Sequence, residues 1–153
     1  MEPNSPSPRF RALASRLRAG EPVGLAEAAL VLAGEFRPEL DPDAPLAELD
    51  RLASDAARVV PNDGERGPNV ARLVTYLRED AGFRGNELQY DDPRNSDLDV
   101  VLTERTGIPI TLAIVYAEVA ARLGLTLQGV SFPGHFLLRT PEEPPVVIDA
   151  FHG

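Results

Sequence analysis

The sequence contains no cysteine, which excludes disulfides, thiolate metal sites, redox pairs and thiol nucleophiles together. It also contains no lysine: all fifteen basic residues are arginine, scattered along the chain, and this reads as compositional bias. No stretch approaches the ~18–20 apolar residues of a membrane span, and the N-terminus has no apolar signal core. A cytoplasmic location is therefore the expectation. Basic excess is lacking too, since the net charge is −9 and the pI about 4.7. Nucleic-acid binders carry a basic face, so no nucleic-acid partner is expected. There is no internal repeat and no charge block.

What is present suits one globular domain. The 153 residues are 43% hydrophobic, enough for a core. Prolines are many, at fifteen. Pro3, Pro6 and Pro8 mark residues 1–8 as a disordered tail, and Pro141 to Pro145 mark a loop tip. Residues 9–153 form the expected domain, with a helical part over 9–82 and a core over 83–153. The stop after Phe151-His152-Gly153 points to further sequence beyond it.

The first half has helical spacing. Phe10, Leu13 and Leu17 form one stripe, Leu25 to Phe36 a second, and Leu46, Leu49, Leu52 and Ala56 a third. Asn62 to Pro68 reads as a loop, followed by Val70, Leu73, Val74 and Leu77 at the helical period. Gly82 and Gly85 bracket a turn. Ser96 and Asp99 resemble a capping box opening a short helix through Leu98, Val101 and Leu102. The next helix starts at Pro109, tolerated in a first turn, and runs to Leu123. Only Thr111, Glu118 and Arg122 interrupt its apolar surface, so it should lie buried at the centre of the fold. After Gly124 the period changes. Leu125–Phe132, His135–Arg139 and Pro145–Asp149 read as strands. The fold class is α+β: a helical half, then a buried central helix on a short antiparallel sheet.

The chemistry sits in the order helix, strand with His135, strand with Asp149. In cysteine-dependent acyl transfer the thiol stands at the start of a buried helix. A strand histidine takes its proton, and a carboxylate on the next strand orients the ring. Here the helix start reads Gly107-Ile108-Pro109-Ile110-Thr111, and nothing from Gly107 to Ile110 can attack a carbonyl. Asp149 reads as either His135's partner or a turn residue. Thr111 and Ser131 lack the surroundings of a hydroxyl nucleophile.

Several ordered motifs carry a resemblance. They are Phe83-Arg84-Gly85-Asn86, Tyr90 to Ser96, Arg105 to Leu112, Arg122 to Leu125, Pro133-Gly134-His135-Phe136-Leu137 and Ile148 to Gly153. Together they resemble the SirB-type transglutaminase-like family, which implies a papain-like core in a bacterial protein of undefined role. By that resemblance Pro109 falls on the cysteine position, and His135 and Asp149 fall on the other two triad positions.

Two functions follow as expectations. One is a non-catalytic domain whose cleft binds a peptide or partner protein through Arg94, Asn95, Thr111, His135 and Asp149. The other is a cysteine-independent hydrolase or amidase with His135 as general base and Asp149 orienting it. His135, Asp149 and His152 could in principle ligate a metal, but two histidines without compact spacing leave no metal or cofactor expected. The oligomeric state is left open.

Overall fold

The computed structural model describes residues 5–153; the first half of the expected N-terminal tail, residues 1–4, lies outside them. Of the remainder of that tail, Ser7 and Pro8 belong to the cap and first turn of a helix. Ser7 caps the first helix by accepting from the Phe10 N–H at 3.1 Å, and its own N–H donates to the Glu35 carboxylate at 3.1 Å. Four helices follow: α1 (Pro8–Arg18), α2 (Leu25–Phe36), α3 (Asp43–Ala56) and α4 (Arg66–Thr75), the last continued by a π turn over Tyr76–Asp80. The α4 helix begins inside the segment expected to be loop, because Pro68 sits in its first turn, where a missing N–H costs nothing.

Arg84–Gly85 (β1) is a strand, not only a turn, and pairs in parallel with Thr106–Gly107 (β2). Between them lie a 3₁₀ turn (Pro93–Ser96) and α5 (Leu98–Glu104). The Ser96–Asp99 capping box does not form. Asp97 takes the cap position, and the Asp99 carboxylate is held by both terminal nitrogens of Arg37, at 2.5 and 3.1 Å. A bidentate charged pair outcompetes a reach back to one N–H. The central helix α6 (Pro109–Arg122) begins at its proline as expected. The strands β3 (Gln128–Phe132), β4 (His135–Arg139) and β5 (Val147–Ile148) then make an antiparallel sheet in sequence order. Two of them are shorter than the sequence suggested, β3 starting at Gln128 and β5 covering two residues.

α6 packs against α2, α3, α5 and β4, and Leu112, Val115, Tyr116 and Val119 on it are fully buried. Its polar stripe has internal partners. Glu118 accepts the Ala26 N–H at 3.0 Å, satisfying an open donor at the start of α2, and Arg122 bonds both Glu118 and Asp50. Thr111, at the other end, is buried.

Arg105 joins α5 to α3. It ends α5 in a left-handed conformation (φ 64°), rare for a residue with a Cβ. That turn sends its guanidinium over the Phe83 ring, 4.7 Å from the centroid, and into an ion pair with Glu48. Hydrogen bonding from Arg51, against the opposing effect of burial and with further help from Arg105, holds the Glu48 carboxyl down at about 2. A depressed acid stabilises the fold above its ordinary value of 4.5, and that stability is lost as pH falls towards 2. Glu48→Gln should therefore flatten the fall in urea-unfolding stability across that window. With a quarter of the side chain exposed, the difference should be about 1–2 kcal/mol. Equal slopes for both proteins would show the pair to be energetically idle.

Candidate functional site

The site grows from a turn and a strand end. Pro133-Gly134 joins β3 to β4 as a two-residue hairpin in which Phe132 pairs with His135; Gly134 takes φ 76°, open to glycine without strain. His135 thus stands exposed at the head of β4. On the other side of β4, Leu138 lies opposite Ile148. One step further along that register sets Asp149 beside Leu137, on the face His135 shares because side chains alternate.

Asp149 then closes a tight turn. Its Oδ1 accepts the N–H groups of Phe151 and His152, both at 3.0 Å, and its carbonyl accepts from Gly153 at 2.8 Å. Its Oδ2 lies 2.9 Å from Nδ1 of His152. Burial pushes the Asp149 carboxyl up, but the hydrogen bonds from the His152 backbone and ring and from Phe151 outweigh it and hold the group below its ordinary value. Asp149 is therefore ionised at neutral pH. One ligand-type atom each from His135, Asp149 and His152 lie within 4.8 Å of one another. The His135 and His152 ring centroids are 6.2 Å apart.

Asp149 is thus both a turn residue and a histidine's partner, but the histidine it bonds is His152. The His135 ring has no hydrogen-bond partner among the described residues. The local signal for this was the Asp-x-x-His spacing behind a short strand, which lets a turn bring the ring back to the carboxylate. Phe151 anchors the turn: its ring meets His152 edge-on at 4.8 Å and Tyr90 at 5.8 Å. Gly85 lies against the other side, where a Cβ would come within 2.5 Å of the ring.

Arg94, Asn95 and Thr111 do not join this cluster through their polar groups. Arg94 is exposed and pairs with Asp92 and Glu104. Asn95 is only 4% exposed; its amide donates to the Gln89 and Tyr90 carbonyls, at 2.7 and 3.0 Å, and accepts from Asn86. Thr111 Oγ1 lies 2.8 Å from the Asn95 carbonyl and accepts the Ile108 N–H at 3.2 Å. Gly107 makes room, since a Cβ there would stand 2.8 Å from that oxygen. The two residues lock the 3₁₀ turn to the start of α6. Thr111→Val should cost about 1–3 kcal/mol, by stranding a buried carbonyl and N–H, with Thr111→Ser close to wild type. Urea denaturation measures it, and a neutral Thr111→Val would show that the hydroxyl holds nothing.

A groove of about 370 Å³ adjoins the cluster, lined by Phe151 and His152 together with Arg78, Arg84 and Thr106. Arg94 and Asn95 do not line it. A larger depression, about 900 Å³, lies between the start of α1 and the α2–α3 connection, and none of the expected site residues lines it.

Chemically, the cluster offers an ionised carboxylate beside two imidazoles. The same N, O, N donors suit a divalent metal, and ligands about 2.0–2.1 Å from one tetrahedral zinc stand about 3.3 Å apart. The three atoms lie within 4.8 Å of one another, which leaves them able to hold such an ion.

A buried helix that starts without a thiol, followed by a strand headed by a histidine and a strand that leads into an aspartate, defines a transglutaminase-like domain that lacks the cysteine. Residues 43–153 match the family model described as "Transglutaminase-like superfamily", and the chain belongs to that superfamily. It is similar to a UPF0162 protein of Xylella fastidiosa, 38% identical over 138 residues, covering 87% of this chain and 48% of that protein. A UPF0162 protein of Pseudomonas aeruginosa is 38% identical over 124 residues, 81% of this chain and 46% of its own. The mouse F-box only protein 21 is 46% identical over 71 residues, 46% of this chain and 11% of its length. The chain spans about half the length of the UPF0162 relatives. No solved structure matches it. No helix among the described residues is long and apolar enough to cross a membrane.

Proposed function

We propose that this domain is a cysteine-independent hydrolase or amidase in which His135 activates water beside the Asp149–His152 pair. The observation that carries this is the convergence of the three side chains within 4.8 Å at an open surface. His135 is exposed and uncommitted, so a ring nitrogen is free to take a proton from water. The resulting hydroxide adds to the substrate carbonyl, and the imidazolium formed is stabilised by the neighbouring carboxylate before it returns the proton to the leaving group. The orienting role expected of Asp149 towards His135 becomes an electrostatic one, because its hydrogen bonds go to His152 and the turn.

The other expectation, a non-catalytic cleft that binds peptide or protein, finds less support. It relied on Arg94, Asn95 and Thr111 for polar contacts, and those groups are engaged within the fold. The deciding experiment follows hydrolysis of a panel of p-nitroanilides and p-nitrophenyl esters by the wild-type chain and His135→Ala. Turnover by wild type that the variant loses supports the hydrolase. Equal rates, or none by either, remove it.

A further inference from the structure

With twenty-four acidic residues to fifteen arginines, an arginine in this chain readily finds a carboxylate. Arg16, Arg37, Arg51, Arg105 and Arg122 all do. Arg78 and Arg84 do not, and share this with Arg11, Arg18, Arg72 and Arg139: among the described residues, none of the six lies within ion-pair distance of an acid. Arg84 makes one long contact, 3.4 Å to the Gly82 carbonyl. Arg78 makes no side-chain hydrogen bond among the described residues, and its Nη1 is buried without a partner. The Gly153 backbone lies over its guanidinium, so close that a Cβ there would fall 2.2 Å from Cζ.

A buried donor left without an acceptor is costly and rare, and such a group is met by an ordered water, an ion or a ligand group. The fully buried Tyr116 hydroxyl and Nη1 of the ion-paired Arg105 are the other such atoms among the described residues. Burial pushes that phenol up to about 12, and the Arg78 charge draws it back, which couples the two groups. Of the unpaired arginines, Arg78 and Arg84 line the groove beside His152, where the sole carboxylate is the exposed Glu87. A guanidinium presents paired N–H groups that match an oxyanion.

We infer that this groove is an oxyanion subsite, in which Arg78 and Arg84 hold a carboxylate or phosphate group of the ligand next to His152. Resting on the hydrolase reading, the inference makes the substrates acyl compounds that carry an anionic group close to the scissile bond. The binding itself stands apart from catalysis.

The experiment titrates the full chain with N-acetylglycine, with its neutral twin N-acetylglycinamide and with inorganic phosphate, at constant ionic strength and followed by NMR. The anionic acylglycine should bind at least about tenfold more tightly than the amide. Arg78→Met should remove that preference and Arg84→Gln should reduce it several-fold. Phosphate binding above the acylglycine assigns the site to phosphate esters, and below it to carboxylates. His135→Ala should bind as wild type does, so lost turnover with intact binding refutes only the hydrolase. Equal binding of acylglycine and amide overturns the subsite, as does a folded Arg78→Met variant that binds like wild type. Should Arg78→Met fail to fold, the exposed Arg84 decides, and unchanged preference in Arg84→Gln overturns the proposal.

Discussion

His135→Ala should slow hydrolysis by about 10²–10⁴-fold, the range that a general base contributes, while leaving the melting temperature unchanged. Both halves follow from its position. The ring is exposed and makes no hydrogen bond among the described residues, so its removal strands no partner and opens no cavity. The same freedom leaves it available to a water molecule, whereas His152 is committed to Asp149 through Nδ1. Steady-state kinetics on the best substrate of the panel, with a thermal melt on the same samples, measure both. A rate loss accompanied by an equal loss of fold would assign His135 a structural role, and an unaffected rate would place the base elsewhere.

Leu112→Ala should destabilise the fold by about 2–5 kcal/mol, through lost burial and the cavity left behind. Leu112 is fully buried one turn into α6, where α2, α3, α5 and β4 converge on the helix. Neighbouring elements hold the surrounding backbone, so collapse into the gap is limited. Leu88→Ala, at a residue 98% exposed, should change stability by no more than about 0.5 kcal/mol. Urea denaturation of the two variants tests the contrast; a similar cost for both would mean that α6 is not the centre of the core.

That contrast marks a limit of sequence reading. Spacing identified the helices because a buried face imposes the 3.6-residue period, and α2 runs over Leu25–Phe36 as the stripe indicated. It could not tell which apolar residues stay wet. Phe36 ends its stripe at 82% exposure, and Ile110 in the central helix remains 47% exposed. The strand at Arg84–Gly85 was hidden for a different reason. It has two residues, too few for a period, and exists only because Thr106–Gly107 offers a partner about twenty residues away.

The candidate site divides along the same line. Residue types and order, with the missing cysteine and Pro109 at the helix start, were legible because chemistry depends on which groups exist and in what sequence the chain presents them. The partners were not. Asp149 chose His152 over His135 because a four-bond turn positions a ring at i+3 more tightly than a neighbouring strand does. Arg78 and Arg84 look like any other arginines until the fold sets them in one groove without an ion-pair partner. Composition and local pattern thus determined the fold class and excluded thiol chemistry. Which polar groups were satisfied, and which were left facing a ligand, was decided by tertiary structure alone, since hydrogen bonding and desolvation depend on neighbours that are distant in the chain.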